Sequence, residues 1–431
     1  MTRHVVRNSL LLVLAVVLGS EPAFAAPKCK GSFDCFLEEL WPQAEERGIT
    51  LAVFTSAFAG VSPDPGILPL TRAQPEYNKP IGQYIEGRVG GGMIARTRQY
   101  VRTHADELAA LQDKYGVDPE IVVSIWGVES GFGAVRGSRD VIRSLATLAH
   151  ARYRDDFFRD ELLFALQILQ EEKMTRGSLV GSWAGALGQP QFLPSSFVRY
   201  AVDATGDGRR DIWNSTTDTL GSIANYLQGH GWKAGAPWGF EVALPDGFDF
   251  GASRGTFADW QARGLRRADG KAFPAEGNAY LLFPSGARGP AFLVTENYAV
   301  IKSYNFSDPY ALAVAHLADR ARGEKPIAAK WPSDERPPSR DERIRLQRML
   351  AAHGYFVYNF VGHIDFDQRD AIRDLQRAAG VTADGNPSTA VIEMIGAMPA
   401  GKLSDRNAPA AKNGLARPRM RQPQGMTTAP Q

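Results

Sequence analysis

Cysteine is almost missing from this sequence: Cys29 and Cys35 are the two present in 431 residues, and both lie near the N-terminus. A close even pair behind an export-like leader favours a disulfide over a metal site or a nucleophile, so catalysis is not expected to use a thiol. Long apolar runs are missing too, with one exception. Leu10 to Leu18 is uninterrupted, yet it is shorter than the ~20 residues that cross a bilayer. It follows Arg3 and Arg7 and precedes Ala23-Phe24-Ala25. Residues 1–25 therefore read as a cleaved secretion signal rather than a retained anchor, and the mature chain is expected to have no membrane span. Ala26-Pro27-Lys28 before Cys29 lacks the pattern of a lipid-attachment site. A strong charge imbalance is absent as well. The net charge is +2, and residues 402–431 alone hold six Lys/Arg against one acid, which leaves −3 for the rest. A nucleic-acid-binding fold would carry its basic surface on the folded domain, so no nucleic-acid partner is expected.

What is present is ample core material: 44% of residues are apolar and 22% charged. The length exceeds one ordinary domain. From about Phe33 to Arg320 apolar-periodic stretches alternate with Gly and Pro breaks, which predicts helices over Thr97–Tyr115, Asp140–Ala151, Phe158–Glu172 and Thr219–Gly229. Residues 238–300 change character, with runs such as Phe240-Glu241-Val242 and Ala279 to Phe283 that predict a small β-rich insert. Residues 323–338 are rich in Pro and charge and suit a linker. Residues 339–398 hold three short helical patterns, Ile344–His353, Gln368–Ala379 and Ser388–Met394, and residues 399–431 are expected to be a disordered basic tail. The fold class expected is α+β, mainly α, with a catalytic-sized domain over residues 30–322 and a small three-helix module.

Asp118-Pro119-Glu120 begins a helix with an N-cap residue, proline at the first position and an acid in the first turn. The residues after it are apolar on nearly every side, the pattern of a helix buried inside a domain. Glu129 falls at its C-terminal end, before Ser130-Gly131-Phe132-Gly133. Desolvation and the negative end of the helix dipole both disfavour a charged carboxyl there. Such a group can donate a proton to a leaving oxygen and later accept one. A buried structural acid paired with Arg136 or Arg154 fits the same spacing.

Three motifs carry a resemblance. They are Gly127-Val128-Glu129-Ser130-Gly131-Phe132-Gly133, the stretch Gly181 to Phe197, and Ile223-Ala224-Asn225-Tyr226 with Gly229-His230-Gly231-Trp232; Tyr304-Asn305 and Tyr310 complete the set. In this order, over roughly residues 33–320, they resemble the lytic murein transglycosylase B family, which has a lysozyme-like fold. The resemblance implies cleavage of the β-1,4 bond between N-acetylmuramic acid and N-acetylglucosamine in peptidoglycan, with the muramyl 6-hydroxyl closing on its own anomeric carbon. It implies Glu129 as the single acid and base, with no cofactor for catalysis. It further implies that Ser182, Gln191, Phe192, Tyr226, Tyr304, Asn305 and Tyr310 line the glycan groove, and that Arg154 meets a peptide-stem or lactyl carboxylate. A periplasmic location and glycan-strand partners follow, along with cell-wall synthesis or division proteins. A hydrolytic muramidase of lysozyme type and a non-catalytic wall-binding scaffold are the competing readings.

Asp203, Thr205, Asp207 and Asp211 stand at positions 1, 3, 5 and 9 of an EF-hand-like loop with Gly208 at 6, counting from Asp203, and Arg209 at the backbone-carbonyl position. Position 12 is Asn214 rather than glutamate. The family resemblance implies a longer loop closed by a later aspartate, here Asp218, and a structural calcium ion. The 339–398 unit resembles the three-helix peptidoglycan-binding domain type 1 through Leu346-Gln347-Arg348, Gly354-Tyr355 and Asp384-Gly385-Asn386.

Overall fold

The computed structural model describes residues 31–71, 79–334 and 336–399. The expected signal segment, Cys29 and the basic tail from residue 400 lie outside the described residues. No helix among the described residues is long and apolar enough to cross a membrane.

The organising element is the Pro119–Ser130 helix, in which every residue from Ile121 to Val128 is buried. It packs against the helices Gly91–Thr103, Thr216–Gly229 and Asp308–Arg322. Burying each large apolar side chain here stabilises by roughly 1.5–3 kcal/mol, which is why a helix apolar on all sides is found at the centre of the domain. Its start departs from expectation in one respect. Asp118 occupies the N-cap position but makes no side-chain capping bond; its carboxylate instead pairs with Arg322 at 2.8 Å. The predicted Thr97–Tyr115 helix is two helices, Gly91–Thr103 and Ala105–Tyr115. His104 leaves helical geometry at φ −108 and ψ 26, and its Nδ1 lies 2.8 Å from the Glu107 carboxylate.

Strands β1 (Arg139–Asp140) and β2 (Val180–Gly181) form a short antiparallel pair. The insert is a five-stranded sheet built from β3 (Gly239–Ala243), β4 (Arg254–Thr256), β5 (Arg266–Arg267), β6 (Asn278–Leu282) and β7 (Ala291–Val294). Its order is β4-β6-β7-β3-β5 and every pairing is antiparallel. Side chains alternate across a strand. On β6, Ala279 and Leu281 join Phe257 and Trp260 in a small core, while Tyr280 and Leu282 face the main helical core. Both faces are thus covered, which accounts for the continuous apolar run in this strand.

The C-terminal module consists of helices Arg340–Ala352, Phe366–Ala378 and Thr389–Ala397 around Leu346, Leu350, Ile372, Leu375, Ile392 and Ile395. The connection 323–338 is held down on the insert: the Ala328 and Ala329 amides each donate to Glu241 at 2.8 Å. The module is joined to the rest by buried charge. Asp308 receives Lys302 at 2.9 Å and the module's Arg369 at 2.7 Å, and Lys302 also donates to Ile364 O at 2.9 Å. Arg373, fully buried, donates to the Tyr280 hydroxyl and, at 2.7 Å, to Leu281 O. Burial alone would raise Asp308, but the Lys302 and Arg369 charges outweigh it and hold the carboxyl below the usual range.

Candidate active site

Glu129 is the penultimate residue of the buried helix and is half-buried. The residues after it fold back beneath the helix end. Gly131 and Phe132 both take left-handed conformations, at φ 61 and 62, and Phe132 stacks on Tyr100 with ring centroids 4.7 Å apart. Two glycines make this possible. A Cβ on Gly127 would sit 2.7 Å from the Phe132 ring, and one on Gly133, itself at φ +79, would sit 2.5 Å from Gln189 Oε1. Gln189 is buried and accepts from Trp126 Nε1 at 2.9 Å, tying the helix to the loop that follows β2. The helix end that carries Glu129 is therefore set by packing rather than by solvent.

Three phenols surround the carboxyl. Tyr226, Tyr304 and Tyr310 come from three separate elements. Burial first, and then the Glu129 charge among their neighbours, pushes each phenol above its usual range. Their rings form one cluster with Phe192: Tyr226 and Tyr304 are 4.7 Å apart, Tyr304 and Tyr310 6.2 Å, and Phe192 and Tyr226 5.6 Å. Tyr226 donates to Ser303 O at 2.9 Å and Tyr304 to Pro190 O at 2.8 Å. All three hydroxyls stay protonated at neutral pH and can donate hydrogen bonds.

The 181–193 loop supplies the other wall. Ser182 Oγ accepts from the Ala184 and Ala186 amides at 3.3 and 3.0 Å. Gln191 sits at φ 51 and donates to Gly188 O at 2.7 Å. Asn305 is half-buried beside Tyr304. The fold thus gathers Phe192, Tyr226, Tyr304 and Tyr310 around Glu129, with Gln191 next to Phe192. Arg154 is placed differently. It lies over the Tyr153 ring at 5.4 Å, and its charge acts on His363 of the C-terminal module. Arg136, one expected partner of a structural Glu129, donates to Trp213 O at 2.6 Å.

The EF-hand-like loop does not fit an ion as it is folded. Asp203 accepts from the Gly206 and Gly208 amides at 2.6 and 2.7 Å, and Thr205 Oγ1 donates to Asp203 at 3.1 Å. Asp207 accepts from the Arg209 amide at 2.9 Å, and Asp218 from Ala204 and Asp211, both at 2.9 Å. Among the described residues no three Asp, Glu, His or Cys side chains are placed to hold a metal. Cys35, in the Phe33–Glu46 helix, is not a free thiol.

Sequence reasoning passed over Tyr84, a buried phenol neighbouring Tyr310, and Gln189. The latter lay in view within Gly188-Gln189-Pro190-Gln191, whereas Tyr84 belongs to no motif. Arg96 was also passed over; it donates to Gly131 O at 3.0 Å and lies over Phe132.

Residues 32–319 match the family described as the transglycosylase SLT domain, and residues 339–395 match the peptidoglycan binding domain. Membrane-bound lytic murein transglycosylase B of Escherichia coli (strain K12) is 34% identical over 220 residues, covering 50% of this chain and 60% of that protein. The chain thus spans less than two thirds of that relative. SltB3 from Pseudomonas aeruginosa, solved in complex with NAG-anhNAM-pentapeptide, is 43% identical with a TM-score of 0.74 over 84% of this chain and 99% of that one. The Escherichia coli lytic transglycosylase SLT35, solved in complex with calcium, is 27% identical with a TM-score of 0.56 over 67% of this chain and 92% of that one. With a match across two ordered regions and a buried glutamate helix at the centre of the first, the chain belongs to the transglycosylase SLT domain family.

Proposed function

We propose that this chain is an exported lytic transglycosylase that cleaves the β-1,4 bond between N-acetylmuramic acid and N-acetylglucosamine in peptidoglycan and leaves 1,6-anhydromuramyl ends. The observation that carries this reading is the half-buried Glu129 carboxyl at the end of an apolar helix, ringed by three phenols from separate elements. Glu129 protonates the leaving oxygen as the glycosidic bond breaks, and the substrate acetamido group stabilises the developing positive charge. The resulting carboxylate then takes the proton of the 6-hydroxyl as that oxygen attacks the anomeric carbon. One residue returns to its starting state without a second carboxylate, unlike a two-acid glycosidase. Tyr226, Tyr304 and Tyr310 offer phenol oxygens that can accept hydrogen bonds, and aromatic rings, to the sugars. Ser182, Gln191, Phe192 and Asn305 shape the groove wall, and Arg154 answers carboxylates on the substrate's edge. The complex of SltB3 with an anhydro-muramyl peptide supports transfer over hydrolysis. The leader-like pattern of residues 1–25, Arg3 and Arg7 ahead of the apolar run Leu10 to Leu18, supports a periplasmic enzyme. A structural calcium ion on the 203–218 loop is a separate part of the reading. It is supported by the calcium complex of SLT35 and by the order of oxygen donors, and requires carboxylates that now face amides to turn.

Replacing Glu129 with Gln is expected to lower release of muropeptides from purified sacculi by about 10²–10⁴-fold while leaving sacculus binding intact. Mass spectrometry of the parent's products reads the second half of the claim. Reducing rather than anhydro ends would make it a hydrolase, and an undiminished variant would end the assignment of Glu129.

A further inference from the structure

A cavity of about 240 Å³ opens at the other end of the buried helix from Glu129. Ile121 lines it, and the rise of an α-helix puts Glu129 about 12 Å further along the axis. The Asp308–Arg322 helix contributes His316, Asp319 and Arg322, while Pro326 and Ile327 of the connection close one side. The cavity shares no residue with the groove wall described above or with the C-terminal module.

Its wall is aromatic and acidic. Trp232, Trp238, Phe240 and Phe292 supply ring surface. Asp118, Glu241, Asp269, Asp319 and Glu324 line it against Arg267, Arg322 and Lys325, five acids to three bases. The excess gathers at Arg322, whose one guanidinium serves Asp118 at 2.8 Å, Glu120 at 3.2 Å and Asp319 at 3.4 Å. His316 adds no positive charge, because burial first and then Arg320 push its imidazole down to about 4. Trp238 Nε1 donates to Asp319 at 3.0 Å and so fixes a carboxyl within the aromatic wall. Burial raises that carboxyl to about 6, more than Arg322 offsets, so a further positive charge beside it is favourable. The wall already seats one cation on a ring, with Arg267 3.9 Å over Phe240. Trp232 is buried, and its Nε1 has no hydrogen-bond partner among the described residues.

We propose that this cavity is a binding site for a small organic ammonium ion, a primary amine on an aromatic or apolar body that also carries a carbonyl oxygen. The ammonium meets the acids that share Arg322, and the body packs on the indole and phenyl faces. The carbonyl gives the Trp232 N–H the acceptor it lacks. An anion finds no such welcome. Arg322 is engaged by three acids and Arg267 by Asp269, and Lys325 is exposed, where solvent and salt screen it. The site owes nothing to the chemistry at Glu129 and stands or falls separately from it.

The test titrates phenylalaninamide into the full chain by calorimetry. Two relatives of the probe control for charge: 3-phenylpropanamide keeps the ring and the amide without the ammonium, and 3-phenylpropionate carries a negative charge instead. The amine is expected to bind at a single saturable site, about tenfold more tightly than either control. Asp319→Asn keeps an acceptor for Trp238 and removes the charge, and is expected to weaken the amine about tenfold. Ala268→Trp fills the space from an exposed position on the wall. It keeps the backbone bond from the Ala268 amide to Glu241 O, so it is expected to melt as the parent does and to bind no amine. Absence of saturable binding to the parent overturns the proposal, as does equal affinity for the amine and 3-phenylpropanamide. Undiminished binding by Ala268→Trp overturns it too, by placing the amine elsewhere. Each result is read without sacculi, so none of them bears on the assignment of Glu129.

Discussion

Glu161 places an ionisable carboxyl in the core, 4% exposed, on the Phe157–Glu171 helix. It accepts from Ser195 N at 2.9 Å and Ser195 Oγ at 2.7 Å, just beyond the loop that carries Gln191 and Phe192. Burial outweighs those bonds and the Arg199 charge, and pushes its pKa up to about 7 from 4.5. The folded state therefore keeps a proton that the unfolded chain gives up. Between pH 4.5 and 7 the folded state binds more protons, so stability falls as pH rises through that window and levels off above it. The contribution is roughly 3 kcal/mol. Glu161→Gln keeps an acceptor for the amide and a donor for the hydroxyl, and should flatten this slope relative to the parent in thermal melts from pH 5 to 8. Parallel slopes would show that the proton is held elsewhere. Nothing in the sequence marks this residue, because one acid in an amphipathic helix looks like a solvent-facing position. Glu129 differs: its helix is apolar on every side, so an acid there stands out, and the motif resemblance supplies the rest of the site.

Among elements, the 203–218 loop shows how far spacing alone reaches. Oxygen-bearing side chains at regular intervals predict a cation site, but the same carboxylates also accept backbone amides in a tight turn, and spacing does not separate the two. An ion that binds only the folded state stabilises it by about 2.7 kcal/mol at a concentration 100 times its dissociation constant. Calcium added to chelator-treated protein should then raise the melting temperature, and an unchanged melt removes the ion from this fold. The helices were more legible than the loop. The Asp140–Ala151, Phe158–Glu172 and Thr219–Gly229 expectations correspond to helices at Val141–His150, Phe157–Glu171 and Thr216–Gly229, since their large apolar side chains recur at helical spacing. The His104 break was missed because apolar residues continue in step on both sides of it.

At the scale of the whole molecule, the charges that join the module to the catalytic region were hidden in the sequence. Lys302, Asp308 and Arg369 read individually as surface residues, and only the docked fold brings one acid between two cations. Asp308 also accepts from Tyr298 at 2.8 Å. Removing one partner of a buried ionic group leaves uncompensated charge and costs about 3–5 kcal/mol. Asp308→Ala is accordingly expected to lose that much in denaturant unfolding and to separate one cooperative transition into two, one for each region. A loss under about 1 kcal/mol would mean that the junction is held by apolar contact instead.

Under the proposed function, that junction changes how the two regions would meet a common polymer. With a flexible tether, the second site would find the strand by a search whose odds are set by the statistics of the connecting chain. Here the 323–338 segment is pinned on Glu241 and the module is locked by Asp308. The separation between module and carboxyl is then a length rather than a distribution, and under the proposed function a strand held by the module would stand at one fixed span from Glu129.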